Sequence, residues 1–232
     1  LEIDSLENIE KKYPNIEIEK LAKNSVLMPG LINSHIHLEF SGNTTTLKYG
    51  NFYSWLNSVI KHREDLISKA NTKLILSKLS KMKRTGTTTI GAISSYSFDL
   101  DACVKSPLNK VFFCEVIGTK GDMIDTLFAD FKDRLNIAKK YKSANFIPAI
   151  AIHSPYSVHP FLVRETLKLA REENLPVTSH FLESREEFEW LHKDEGAFVE
   201  FFKNFLGQEQ SVTKPMEFLN LFSNIKNLSF TH

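Results

Sequence analysis

The chain has 232 residues, 42% hydrophobic and 25% charged, the composition of a globular protein long enough to bury a sizeable core. Twenty-nine basic against 28 acidic residues leave a formal net charge of +1, which favours neither nucleic acid nor an anionic membrane as partner. Two cysteines, Cys103 and Cys114, lack CxxC spacing and argue against a disulfide scaffold or a thiolate zinc site, and point to a reducing cytoplasm. No apolar run approaches the ~20 residues of a membrane span, and no basic-then-apolar leader opens the chain.

In chain order, Val26–Met28 and Leu31–His35 read as extended, separated by Pro29-Gly30. Phe52–Lys61 and Asp65–Lys83 read as helices; Ile75, Leu79 and Met82 form a stripe on the second, and Gly86 suits its end. Thr87–Ile93 is a β-branched strand and Val111–Ile117 an apolar one. Asp122–Tyr141 is helical and Phe146–His153 a nearly continuous apolar strand. Pro160–Glu173 is a helix with Pro160 in its first turn. Pro176–Phe181 is a strand, Arg185–Lys193, Ala197–Leu206 and Met216–Phe222 are helices, and Leu228–Thr231 closes as a strand. Apolar strands alternating with helices mean a parallel α/β sheet, either doubly wound or a barrel. A Rossmann glycine fingerprint and a P-loop are both absent. The start at Leu1 and the stop at a strand end read as part of a longer protein.

Histidines fall at four predicted strand ends: His35 with His37, His153, His180 and His232. His62, His159 and His192 fall on helices or loops and look ordinary. In a parallel barrel all strand ends share one face, where active sites are built. Residues i and i+2 of a strand point the same way, so His35 and His37 can converge on one metal ion. Read alone, they are equally a pair of ordinary histidines. His180 would complete a three-histidine set, and Glu183 three residues on is placed as a general acid/base. The other reading of Glu183 is the first acid of the following helix. His153 reads as a site residue or as a structural histidine.

These residues carry a resemblance. Val26–His37, with Pro29-Gly30-Leu31-Ile32-Asn33-Ser34-His35-Ile36-His37, resembles the PG-(L/F)-(I/V)-N-x-H-x-H signature of the amidohydrolase superfamily. His153-Ser154-Pro155-Tyr156-Ser157 resembles the PHxPY(T/S) strand of its nucleoside and nucleobase deaminases, His180-Phe181-Leu182-Glu183-Ser184 their HxxE(T/S) strand, and Thr231-His232 the next strand end. Within that branch, Tyr49–Val59, Gly91–Ser94, Ser106–Asn109 and Phe181–Ser184 with Glu189-Trp190 are similar to the aminodeoxyfutalosine deaminase group.

The resemblance implies a (β/α)8 TIM-type barrel over residues 29–232, partial at strands 1 to 6, with residues 1–28 as the remnant of a small β-sandwich domain. It implies one divalent metal ion, zinc or alternatively iron, held by His35, His37 and His180. Glu183 would deliver a proton to purine N1, His232 would orient the attacking hydroxide, and His153 and Glu64 would contact the substrate. The strand-eight Asp of the superfamily has no counterpart in the chain. The reaction implied is hydrolytic deamination of a purine nucleoside, 6-amino-6-deoxyfutalosine of menaquinone biosynthesis. The alternatives are an S-adenosylhomocysteine, methylthioadenosine or guanine-type deaminase, an amidase of the same superfamily, or a non-catalytic barrel. Phe40, Tyr49, Phe52, Tyr53 and Trp55, with Lys48, are candidates for an aromatic wall against the substrate or for plain loop packing. A homo-oligomer is left open.

Overall fold

A computed structural model gives the fold and describes residues 2–232. Six strands form one sheet in sequential order: β1 (Leu31–Ile36), β2 (Thr87–Ser94), β3 (Asn109–Val116), β4 (Phe146–Ile152), β5 (Val177–His180) and β6 (Leu228–Thr231). Every adjacent pair is parallel. Sequential order with helical crossovers is the winding of a barrel; in a doubly wound sheet the strand order reverses. The sheet curls far enough to bring the rings of His35, on β1, and His232, just past β6, to 5.6 Å between centroids. The architecture is therefore the expected partial (β/α) barrel.

Helix α1 (Leu6–Lys12) precedes the sheet, and residues 2–28 contain no strand. Helices α2 (Phe52–Lys69) and α3 (Thr72–Arg84) join β1 to β2, α4 (Leu100–Lys105) joins β2 to β3, and α5 (Ile124–Lys139) joins β3 to β4. Helix α6 (Pro160–Glu173) leads to β5, and α7 (Arg185–Lys193), α8 (Ala197–Leu206) and α9 (Pro215–Leu221) lead to β6. The break expected near residues 62–64 lies instead at Ala70-Asn71, because Asn71 caps α3 by accepting the Leu74 N–H at 3.0 Å. Nothing at His62-Arg63-Glu64 interrupts a helix, so α2 runs through. Helix α4 has six residues, too few to show a period in sequence.

Side chains sort by strand phase. Ile90 and Ala92, Phe112 and Cys114, Ile150 and Ile152 face outward into the main core, where they meet Ile75 and Leu79 of α3, Phe131 and Leu135 of α5, and Leu162 and Leu167 of α6. Ile93, Phe113, Ala149 and Ala151 pack together on the other face, inside the curve. Buried aromatics form a separate cluster at the mouth: Tyr156, Trp190, Phe198 and Phe202, with Phe52 and Tyr53 against them. Phe52 and Tyr53, in the first turn of α2, therefore pack, while Tyr49 in the loop before them is exposed. Gly91 on β2 matters for the site. A Cβ there would lie 2.1 Å from the Ser34 carbonyl oxygen, so only glycine lets β2 pass this close to the strand that carries His35.

Candidate metal centre

Strand β1 becomes irregular as it reaches the mouth: its register against β2 shifts between Asn33 and Ile36, and the Asn33 side chain accepts the His35 N–H at 3.3 Å. Such irregularity re-aims side chains at a strand end. The Nε2 atoms of His35 and His37 come to 3.0 Å, and those of His35 and His180 also to 3.0 Å. His35 thus stands between the other two. His180, at the end of β5, donates its Nδ1–H to the His153 carbonyl oxygen at 2.7 Å. That bond fixes the tautomer and leaves the Nε2 lone pair free, the arrangement typical of a metal-ligating histidine. His232 stacks on His180 with ring centroids 5.5 Å apart. His35, His180 and His232 offer ligand atoms all within 4.8 Å of one another. His37 joins it from the other side, 4.9 Å from the His35 ring and stacked 5.5 Å from the His180 ring.

Burial pushes the His37, His153 and His180 imidazoles down to about 3, and lowers that of His35 as well; the neighbouring rings add to each effect. The rings are therefore uncharged at neutral pH, with lone pairs available to a cation. The buried His35 Nδ1 has no partner. Convergent neutral imidazoles suit zinc and similar ions, so the residues present fit a bound divalent cation.

Glu183 lies just outside α7, after Leu182 at φ +55°. Its Oε1 is 4.0 Å from His232 Nε2, and its side chain is 18% exposed. Burial, and then the charge of Glu187, raise its carboxyl to about 7. The helix-start function belongs to other residues: Ser184 caps α7 by accepting the Glu187 N–H at 3.1 Å, and Glu187 is the buried acid of the first turn. His153 closes β4 half-buried, its Nδ1 2.6 Å from Ser157 Oγ and 3.1 Å from Ser154 Oγ. Glu64 is exposed on α2 and makes no hydrogen bond or ion pair among the described residues. His159, read as ordinary, caps α6 by accepting the Phe161 N–H at 3.2 Å.

Three buried acids around the site escaped the sequence reading. Glu39 accepts backbone N–H groups of Ser95, Tyr96 and Phe98 and so ties the loop after β1 to the loop after β2. Glu115, on β3, accepts from Ser95 Oγ, lies with His153 and His180 in a second group of close ligand atoms, and is raised by burial to about 8. Glu187 is the third. Glu115 had a legible signal: it is a lone acid in an apolar strand, in phase with inward-facing Val111 and Phe113.

The amidohydrolase family profile matches residues 26–216. The chain belongs to this family. The matched span includes His35, His37, His153, His180 and Glu183 and stops short of His232. Among curated proteins, the chain is 48% identical to an aminodeoxyfutalosine deaminase of Nitratiruptor sp. over 99% of its own length and 56% of that protein's. It is 31% identical to an adenosine deaminase of Helicobacter pylori over 100% of its length and 56% of that protein's. Among solved structures it superposes on Helicobacter pylori aminofutalosine deaminase, bound to methylthio-coformycin, with a TM-score of 0.89 and 27% identity, covering 99% of this chain and 62% of that one. The chain thus spans little more than half the length of these amidohydrolases.

Proposed function

We propose that this chain carries the metal-binding half-site of a hydrolytic deaminase acting on an adenine-type nucleoside, 6-amino-6-deoxyfutalosine in the route to menaquinone. One observation carries the reading: the Nε2 atoms of His37 and His180 each lie 3.0 Å from that of His35, and Glu183, its carboxyl raised to about 7, stands 4.0 Å from the adjoining His232. The names of the relatives point to the same substrate class.

In this reading His35, His37 and His180 hold one divalent cation, zinc or iron. When bound, the cation supplies Lewis acidity and lowers the pKa of water toward ~7. Glu183, raised to about 7, delivers a proton to ring N1 as the C6 carbon takes up a water oxygen; of the two water protons, one returns to Glu183 and the other passes to the amino group. The C6–N bond then breaks, ammonia leaves and a C6 carbonyl remains. His232, 4.0 Å from Glu183, orients the attacking oxygen through Nε2. His153, whose Nδ1 is fixed by two serine hydroxyls, presents its other nitrogen to the substrate. A contact from Glu64 to the ribose rests on the resemblance alone. Residues 1–28 would contribute to a small separate domain of the whole protein.

The test is ammonia release by metal-loaded full-length protein across adenine nucleosides. Turnover of 6-amino-6-deoxyfutalosine above adenosine and S-adenosylhomocysteine supports the reading. Turnover of none, with metal bound, overturns it.

A further inference from the structure

Glu187 is a buried acid to which the proposed chemistry gives no task. It is the third residue of α7 and wholly buried. In the usual capping arrangement, an acid at this position reaches back to the N–H of the capping residue, which here is Ser184. Glu187 reaches one residue further. Its Oε2 accepts the Glu183 N–H at 2.8 Å, and the Leu182 N–H faces the same carboxylate. Its Oε1 has no partner, so the hydrogen bonding of this acid goes to the backbone of the corner. Leu182, at φ +55°, holds a left-handed conformation that a branched side chain adopts at a cost. The corner is pinned on its other side, where the Phe181 N–H donates to the Thr231 carbonyl oxygen at 3.2 Å. Between these two anchors the chain turns, and the turn sets the Glu183 side chain 4.0 Å from His232.

We propose that Glu187 is a positioning residue: its carboxylate clamps the Leu182–Glu183 corner in the left-handed turn and so holds Glu183 over the histidine cluster. The task given to Glu183 rests on the deaminase reading; the clamp is a property of the backbone. Without the acceptor, Leu182 relaxes toward negative φ and swings the following side chain away from the cluster. Misplacement on the order of 1 Å is enough to cost ~10²-fold in rate.

The experiment combines amide exchange resolved at single residues with kinetics on metal-loaded full-length protein. In the wild type, the Glu183 amide exchanges slowly although it lies outside regular structure. Glu187→Ala removes that protection and lowers kcat by ~10-fold or more, with KM within ~3-fold and metal content unchanged. Glu187→Gln keeps a carbonyl acceptor and restores both protection and kcat to within ~3-fold of wild type. Fast exchange at the wild-type Glu183 amide overturns the clamp, as does wild-type kcat in Glu187→Ala, or a Glu187→Gln variant as impaired as Glu187→Ala. If Glu187→Ala does not fold, wild type and Glu187→Gln decide by exchange. If the wild type deaminates no adenine nucleoside, the deaminase reading falls and the exchange measurements alone decide the clamp.

Discussion

Replacing Glu183 with glutamine should cost activity and increase stability, and both effects follow from one feature of the structure. The carboxyl is raised from 4.5 to about 7, first by burial and then by the Glu187 charge. An acid whose folded pKa lies above its unfolded value binds more protons folded than unfolded between those two values. Folding is therefore unpenalised below about pH 4.5, and stability is lost as pH rises through about 7. The full penalty is ~3 kcal/mol at ~1.4 kcal/mol per pKa unit. The side chain is only 18% exposed, so solvent screening removes a small part of it. Glutamine keeps the shape and never ionises. In urea unfolding of chelator-treated protein, Glu183→Gln should match wild type near pH 4.5 and exceed it by ~2–3 kcal/mol near pH 8.5. The metal-loaded variant should lose ~10²–10⁴ in kcat, the range for a lost general acid, with metal content unchanged. A pH-independent stability difference refutes the burial argument; a kcat within about twofold of wild type refutes the catalytic one.

The remaining expectations test the metal centre and the substrate. The double variant His35→Ala/His37→Ala should retain less than about a tenth of the metal found in wild type by elemental analysis, since three neutral imidazoles are the proposed donor set; wild-type stoichiometry would remove them from it. Metal-free protein should lose stability on acidification, because His37, His153 and His180 have folded values of about 3 against 6.5 unfolded: the stability is present above pH 6.5 and is lost as pH falls toward 3, and a flat profile across that window contradicts their burial as neutral rings. Full-length enzyme should prefer 6-amino-6-deoxyfutalosine to adenosine and S-adenosylhomocysteine by ~10-fold or more in kcat/KM, as one ring in an apolar pocket is worth ~1–3 kcal/mol; better turnover of S-adenosylhomocysteine would transfer the assignment to that substrate.

Legibility followed the physical range of each signal. Helix α6 was readable to the residue, since Pro160 marks its start, its apolar face has a clear period, and its left-handed Asn174 ends it. The strand-end histidines were readable because in a parallel barrel sequence position fixes which face a strand end reaches. Their mutual spacing was not, because it depends on how β1 loses register at Asn33 and on how far six strands curl. The structure sets the His37 ring 4.9 Å from His35 and 5.5 Å from His180, and adds His232 at 5.6 Å and 5.5 Å from the same two rings, a fourth neighbour whose distance no sequence spacing could give. The function of Glu183 was ambiguous for a related reason. Two acids four residues apart straddle a helix start, and only the hydrogen bonds show that Glu187 serves the backbone while Glu183 faces the histidines. Glu39 left no usable trace at all, since its partners are backbone N–H groups more than fifty residues away.

The buried groups of the site share one electrostatic condition. Burial lowers the proton affinity of the imidazoles and raises that of Glu115, Glu183 and Glu187, so each is driven toward its uncharged form. Arg134, a cation close to Glu115, spends its guanidinium on the carbonyl oxygens of Ser94 and Glu115 and on Asp130, not on the buried carboxyls. A divalent cation entering among neutral imidazoles would therefore meet little competing positive charge and would be the largest local charge in the site. Its field would favour ionised carboxylates nearby, lower the proton affinity of Glu183 and make the proton it holds easier to give up. With the cation bound, the proton affinity of Glu183 would fall from the value of about 7 that burial sets, so the acid would part with its proton more readily than in the metal-free protein. On the proposed reading, acid and metal centre would then act as a coupled pair, with the backbone contact from Glu187 setting how close the acid stands to the histidines.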